Sequence, residues 1–375
     1  MRIAVNTRLL LKDKLEGIGW FTYETLKRMT LKHPEHEFIF FFDRAYDKEF
    51  VFADNVTPVI VNPPARHPIL WYLFFDWGIT KALKKYKADV FLSPDGWLSL
   101  RTDVKSLAVI HDLNFEHYPK IIKPVFRYYY MYYFHRFAQK ATRIATVSEY
   151  TKQDIVSHYG ISSDIIDVVY NGSHDLYKPI EEDEKVKVRD EFSDGNPYFI
   201  FIGALHPRKN LARLFKAFDI FKEQSNSSTK LMIVGNKKWW KGEIEDTFNA
   251  MKHKDEVIFT GWQAPDILNK LLASAVALTY VSYFEGFGIP IVEAFNAETA
   301  VITSNVTSMP EIAGDAALLV DPFDINSIAD AMMKINTDEV LRKQLIENGK
   351  QRRQLYSWDK TADKLWNAIE NTIKM

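Results

Sequence analysis

Glu285 and Glu293 are separated by seven residues in the stretch VSYFEGFGIPIVEAF, with Gly286 and Gly288 close behind the first glutamate. Pro290 suits a first helical turn, because the N–H it lacks would be unpaired there in any case. Glu293 would then lie on a helix, one turn in, and Glu285 on the loop before it. The amides of Phe287, Gly288 and Ile289 would point from that helix N-terminus toward an incoming phosphate. A carboxylate offers two oxygens to two donors, so it is a natural acceptor for paired sugar hydroxyls. A helix with ordinary surface glutamates fits the same spacing.

A second candidate is the run Gly203-Ala-Leu-His-Pro-Arg208-Lys209-Asn210, which follows the apolar YFIFIG and precedes the amphipathic LARLFKAF. Two adjacent cations between a strand end and a helix start can meet a diphosphate, Arg with a planar fork of donors and Lys with a compact charge. A solvated loop is the plainer alternative. His111-Asp112 directly follows the apolar run KSLAVI. A histidine at such a strand end can hydrogen-bond a sugar hydroxyl or offer its carbonyl to a reacting centre, with the neighbouring acid orienting it. A capping Asp beside a satisfied His reads equally well. The pair is too sparse for a metal site, because no second His stands at a helical spacing from His111. Glu16-Gly17-Ile18-Gly19 precedes a helical pattern and would let amides approach an anion. A dinucleotide fingerprint would need its glycines immediately after the strand; here about ten residues intervene and Thr22 stands in the third glycine's position. A dehydrogenase reading is therefore weak, and a loop that merely turns is the alternative.

These residues need strands to hold them. Short apolar runs alternate with longer amphipathic ones, which is the pattern of parallel sheets covered on both faces. The expected strands are Arg2–Asn6, Phe38–Phe42, Thr57–Val61, Asp89–Ser93, Lys105–Ile110, Arg143–Val147 and Ile166–Tyr170. A second series is Tyr198–Gly203, Lys230–Gly235, Glu256–Thr260, Ala275–Tyr280, Ala300–Thr303 and Ala316–Val320. Helical patterns such as Trp20–Leu31 and Leu211–Lys222 lie between them. The fold class is α/β, with two Rossmann-like domains. A polar, turn-rich stretch separates them, so the expected division is an N-terminal domain 1–172, a linker 173–196 with a short helix, and a C-terminal domain 197–355. The last helix, in 356–375, comes after the second unit is complete and could pack back across the linker.

Composition bounds the function classes. At 375 residues the chain suits two domains, and 47% hydrophobic with 26% charged residues is the balance of a globular protein able to bury two cores. A net charge of −1 argues against general nucleic-acid binding. The chain has no cysteine, which excludes disulfides, thiolate metal sites and a Cys nucleophile. The N-terminus begins a strand at once without an apolar signal core, and the longest apolar-aromatic stretch, Ile69–Phe75, falls far short of a membrane span. The expectation is a cytoplasmic protein, peripheral at the inner face of a membrane if it touches one.

Taken together, the motifs resemble those of retaining glycosyltransferases of family 4, which have the GT-B architecture. GIG, the HD dipeptide, TVSEYTKQDI, VYNGSHDLYKP, IGALHPRKN, FTGW, EGFGIPIVE, TSMPEIAGDAALLVDP and YSWDKTADKLW occur in the family's order. The resemblance covers essentially the whole chain, and PRKN resembles a bacterial branch rich in mannosyltransferases. It implies two domains facing a central cleft, the C-terminal one holding a nucleotide-sugar. On that resemblance, Glu285 touches the donor sugar and Glu293 the ribose. Arg208 and Lys209 neutralise the diphosphate, while Phe287, Gly288 and Ile289 hold phosphate or sugar. Gly17, Ile18 and Gly19 line the cleft, His111 sits by the anomeric carbon, Gly203 belongs to the phosphate loop, and Trp262 and Gln263 lie near the base. Many members have Arg directly after that glycine where this chain has Ala204, so the diphosphate role rests more on Arg208 and Lys209.

The implied reaction is hexosyl transfer with retained configuration, from GDP-mannose or from UDP- or other nucleotide-sugars, to a glycan or lipid-linked acceptor in cell-surface polysaccharide synthesis. Preorganised donors at the leaving oxygen would stabilise the transition state. No Asp-x-Asp occurs in the chain, so no metal and no further cofactor are expected. Pro119–Arg143 holds six Lys/Arg residues and no acid, which suits a membrane surface or a lipid-linked acceptor, or a core helix with a basic exposed side. A phosphorylase or epimerase of the same fold is the enzyme alternative, although nothing marks the lysine of pyridoxal phosphate. A noncatalytic sugar-nucleotide-binding partner is the alternative from another class.

Overall fold

Among the described residues, thirteen apolar runs form strands, and all pair in parallel to make two sheets. The computed structural model describes residues 1–375, with the side chains of Ile121 and Lys238 outside the described residues. The chain divides into two compact units, Met1–Asn171 with Trp358–Met375, and Gly172–Ser357.

The first unit carries β1 (Arg2–Asn6), β2 (Glu37–Phe42), β3 (Val56–Ile60), β4 (Val90–Ser93), β5 (Lys105–Ile110), β6 (Arg143–Thr146) and β7 (Ile166–Val168). Their order is β3-β2-β1-β4-β5-β6-β7, so the chain reverses direction across the sheet between β1 and β4. The strands are rich in Val, Ile and Phe because both faces are covered: after Glu37, every residue of EFIFFF in β2 is buried. Ligands of such sheets bind outside the carboxyl ends of the strands, at the reversal. The helix Trp358–Lys374 belongs to this unit. Thr361 Oγ1 donates to Tyr170 O at 2.7 Å, Lys105 Nζ donates to Ile373 O at 2.6 Å, and Trp366 stacks on His33 with centroids 3.6 Å apart.

The second unit carries β8 (Tyr198–Ile202), β9 (Lys230–Val234), β10 (Val257–Gly261), β11 (Ala277–Tyr280), β12 (Ala300–Ser304) and β13 (Leu318–Val320), ordered β10-β9-β8-β11-β12-β13. Its reversal lies between β8 and β11. The helix Leu211–Ser225 buries Leu211, Leu214, Phe215, Phe218 and Phe221, the three-and-four spacing of an amphipathic helix, against the core of Phe199, Phe201, Leu231 and Ile233. Residues 173–196 include the helix Glu182–Ser193, which packs on this unit through Arg189 Nε to Ser274 O at 3.1 Å and Glu184 to Lys270 at 2.7 Å. One glycine is indispensable for geometry: Gly235, at the end of β9, has φ of 152°, and a Cβ there would lie 1.9 Å from Gly203 O.

Candidate functional site

β8 ends at Ile202, and the chain turns through Gly203 into a 3₁₀ turn, Pro207–Lys209. Pro207 starts that turn, and the side chain of His206 caps it by accepting from Arg208 N. Asn210 then takes the left-handed conformation, φ 63°, and its Nδ2 donates to Val281 O at 2.9 Å and Pro322 O at 2.7 Å. This buried amide ties the cationic turn to the ends of β11 and β13. The result is that Arg208 and Lys209 both reach Glu285.

Glu285 is only 6% exposed. Arg208 Nη1 lies 2.7 Å from its Oε2, and Lys209 Nζ lies 2.7 Å from its Oε1. Arg208 Nη1 also donates to Phe284 O at 2.8 Å, and Lys209 Nζ donates to the Tyr280 hydroxyl at 2.6 Å. Burial alone would raise the Glu285 pKa; the two cations outweigh it and hold the carboxyl at about 2. The cluster of two cations and one carboxylate therefore keeps a net positive charge at neutral pH. His206 beside it adds none, because burial and then the two cations push its pKa down to about 4.

The loop carrying Glu285 is braced from the segment after β12. Thr307 Oγ1 accepts from Glu285 N at 3.3 Å, while Ser308 Oγ lies 2.9 Å from Glu285 O and 3.1 Å from Phe287 O. Gly288 sits at φ 98°, a conformation for which glycine is the default, and caps the helix Ile289–Asn296. Phe287 turns into the core, edge-on to Tyr356 at 5.6 Å. Glu293 lies on that helix, partly exposed. Burial lifts its carboxyl to about 7 against the opposing hydrogen bond from the Tyr177 hydroxyl. One loop-and-helix thus carries a carboxylate fixed as an anion and another poised at neutrality.

The structure brings Gly203, Arg208, Lys209, Glu285, Phe287, Gly288, Ile289 and Glu293 to one end of the second sheet. Trp262 and Gln263 follow β10, two strands away from β8, or about 9–10 Å across the sheet. Trp262 is 67% exposed, and Gln263 Nε2 donates to Thr260 O at 2.9 Å.

In the first unit, Gly17, Ile18 and Gly19 form the first turn of the helix Gly17–Lys32 rather than a loop before it. A Cβ at Gly19 would lie 3.1 Å from Leu9 O, so the glycine permits close approach to the chain after β1. Phe21 on this helix meets the His111 ring edge-on at 4.9 Å. His111 Nε2 lies 2.8 Å from Pro94 O. A carbonyl only accepts, so Nε2 carries the proton and Nδ1 the lone pair. Burial lowers the His111 pKa, keeping the ring neutral.

Several residues of these sites were not marked by sequence. At the reversal of the first sheet, Arg8 Nε donates to Asp95 Oδ2 at 2.6 Å and its guanidinium lies 4.7 Å over Trp97. Asn6 Nδ2 donates to Asp95 Oδ1 at 2.8 Å. Arg8 and Asp95 each come just after a strand, the one signal that could have found them. The quoted motifs VYNGSHDLYKP, IGALHPRKN and TSMPEIAGDAALLVDP contain Tyr177, Asn210, Thr307 and Ser308, but no role was assigned to them or to Tyr280, since their partners are far away in sequence.

Two Rossmann-like units, each with polar and charged side chains at the carboxyl ends of its strands, define a glycosyltransferase of GT-B fold once the family matches are added. Residues 182–352 match the model for glycosyl transferases group 1, and residues 16–174 match the model for glycosyltransferase family 4. The chain belongs to these glycosyltransferases. It is 25% identical over 382 residues to the O-antigen chain mannosyltransferase B of Escherichia coli, covering 99% of this chain and 100% of that relative. It is 25% identical over 296 residues to the O-antigen chain mannosyltransferase RfbU of Salmonella typhimurium, covering 77% of this chain and 78% of the relative. Among solved structures, HepE of Anabaena in complex with UDP and glucose superimposes with a TM-score of 0.77 at 15% identity, covering 99% of this chain and all of that one, a likeness of fold.

Proposed function

We propose that this glycosyltransferase moves a mannosyl residue from GDP-mannose to a glycan or lipid-linked saccharide, with retained anomeric configuration, in cell-surface polysaccharide synthesis. The single observation that carries the chemistry is the Arg208–Glu285–Lys209 cluster beside the Ile289–Asn296 helix. Cleaving a sugar–diphosphate bond leaves negative charge on the departing oxygen and positive character on the ring. Arg208 and Lys209, preorganised by a buried carboxylate, meet that charge without reorganising as it grows. Glu285 retains lone pairs beyond those the cations use, because an ionised carboxylate has about four acceptor sites. Those face the sugar hydroxyls in this reading, and Glu293 takes the ribose hydroxyls. The Gly288 and Ile289 amides add the positive end of a helix.

Mannose is supported by the two O-antigen mannosyltransferases, whose similarity extends over most of the chain. In the first unit, the neutral ring and carbonyl of His111 and the Gly17–Gly19 turn are the groups this reading assigns to sugar, phosphate and acceptor. The test is a donor-hydrolysis and transfer assay over GDP- and UDP-sugars, with the anomeric configuration of the product read by NMR. Turnover of UDP-sugars in preference to GDP-mannose would overturn the donor, an inverted product the stereochemistry, and no turnover with any donor the enzyme reading at these residues. The division of roles has its own check. Glu293→Ala weakens both free nucleotide and nucleotide-sugar, whereas Glu285→Gln mainly lowers turnover; equal losses in both variants for both ligands contradict it.

A lipid-linked acceptor fits one surface of the first unit. The helix Pro124–Lys140 buries Tyr129, Phe134 and Phe137 but exposes Val125, Tyr128, Met131 and Tyr132, with Arg127 over Tyr128 and Arg136 over Tyr132. No helix among the described residues is long and apolar enough to cross a membrane. Rings and snorkelling cations of this kind lie in a headgroup layer. Cosedimentation with phosphatidylglycerol vesicles, weakened by Tyr128→Ser with Tyr132→Ser, tests this; equal pelleting with and without vesicles refutes it.

A further inference from the structure

We propose that His117, Asp154 and His158 form a binding site for a divalent transition-metal ion of the zinc class, a site unrelated to the transfer chemistry. His117 ends the short helix Asn114–His117, while Asp154 and His158 stand four apart, and so on one face, of the helix Glu149–Tyr159. Asp154 is 8% exposed and lies between the two imidazoles. His117 Nε2 is 2.9 Å from each of its carboxylate oxygens, and His158 Nδ1 is 3.0 Å from Oδ1. All the potential ligand atoms fall within 4.8 Å of one another.

The distances suit a small ion. Tetrahedral zinc with bonds of about 2.0–2.1 Å has ligand–ligand edges of about 3.3–3.4 Å. The nitrogen–oxygen contacts of 2.9 and 3.0 Å therefore need to open by only about 0.4 Å, and the two nitrogens to close somewhat, for all three to share one ion. Two imidazoles and one carboxylate are a donor set for zinc and its first-row neighbours. Magnesium and calcium instead require mostly oxygen ligands. Beside His158 opens a surface cavity of about 250 Å³ lined also by Glu116, His135, Gln139 and Tyr159. It leaves room for water or a further ligand at a fourth position. Glu116 is oriented there by the Tyr159 hydroxyl, 2.9 Å from its Oε1. Occupancy would tie the His111–His117 segment to the Glu149–Tyr159 helix.

The experiment uses full-length, tag-free protein stripped with chelator. Calorimetric titration with zinc gives one ion per chain, excess magnesium or calcium does not compete, and cobalt gives the visible absorption of a low-symmetry nitrogen–oxygen site. His158→Gln and His117→Gln each weaken zinc at least about tenfold. His33→Gln with His36→Gln, in another histidine cluster of the same unit, leaves it unchanged. His158 is partly exposed, so its variant keeps the wild-type circular dichroism and isolates binding from folding. Wild-type protein that takes up no zinc, or wild-type affinity and stoichiometry in both single variants, overturns the site.

Discussion

Binding of an intact nucleotide-sugar should tighten about tenfold between pH 6 and pH 8, with Glu293 setting the slope. Burial holds the Glu293 carboxyl at about 7. At pH 6 about one site in eleven is ionised, and at pH 8 about ten in eleven. In the proposed function ribose hydroxyls donate to the ionised form, so affinity should follow the ionised fraction over these two pH units. The change is worth about 1.4 kcal/mol. The other groups of the cluster stay in one state across this window, Glu285 near 2 and His206 near 4. A nucleotide-sugar is the right probe, since a terminal phosphate ionises near pH 6 and would add a slope of its own.

The same shift fixes the sign of stability in the unliganded protein. A carboxyl with a folded pKa above the unfolded value keeps its proton longer when folded. Its contribution is therefore full below about 4.5 and is lost as pH rises toward 7, by at most about 3 kcal/mol. Titration calorimetry in buffers of different ionisation enthalpy should record about half a proton released per donor bound at pH 7. Tyr177→Phe removes the hydroxyl that favours the ionised form, so it should move the midpoint upward. Glu293→Gln should flatten the slope and cost tenfold or more at pH 8, the worth of a charged hydrogen bond at about 1.5–3 kcal/mol. A flat wild-type profile, tightening toward acid, or an unchanged slope in Glu293→Gln would refute the assignment.

If both meet one diphosphate, as proposed, Arg208→Ala and Lys209→Ala should each lower turnover about tenfold or more and the double variant less than their product; wild-type turnover in the double variant would put the diphosphate elsewhere. Each single variant should also lose stability, since Glu285 is buried between them, and removing one partner of a buried pair commonly costs about 3–5 kcal/mol; an unchanged chemical denaturation midpoint would count against that. Gly235→Ala should abolish folded yield or lower the melting temperature sharply, because its Cβ would lie 1.9 Å from Gly203 O; a fully active, equally stable variant would contradict the close approach. If protein cations meet the diphosphate, as proposed, EDTA should leave the initial transfer rate unchanged; loss restored by manganese would refute this.

All thirteen strands were legible in the sequence to within about two residues, because a strand buried on both faces must be written as an uninterrupted apolar run. Ends were less so. The first helix starts at Gly17, three residues before its apolar periodicity, since its opening turn is built of glycines that carry no hydrophobic signal. The Glu285 loop was legible because proline, glycine and acid are each needed locally. What held it was not. Tyr177 is 116 positions from Glu293 by their numbering, and Asn210 grips carbonyls 71 and 112 positions away. Such partners are chosen by sheet order, which a linear pattern does not state. The pairing of both cations with Glu285 was hidden for the same reason.

That pairing changes how the two glutamates divide the work. A carboxylate between Arg208 and Lys209, held at about 2, keeps its charge at neutral pH, so in the proposed function it positions cations and accepts from the sugar. Glu293, on the same loop-and-helix, is held at about 7 by burial against the Tyr177 hydroxyl, so in the proposed function its charge should follow what binds. Environment, not residue type, assigns the roles. In that function, donor binding should ionise Glu293 and departure of the nucleotide should return the proton. The Arg208–Glu285–Lys209 cluster should hold the same charge before and after, so a phosphate site there would need no change of protonation between donors. A site built this way separates recognition, which varies with pH, from the electrostatics of bond breaking, which does not.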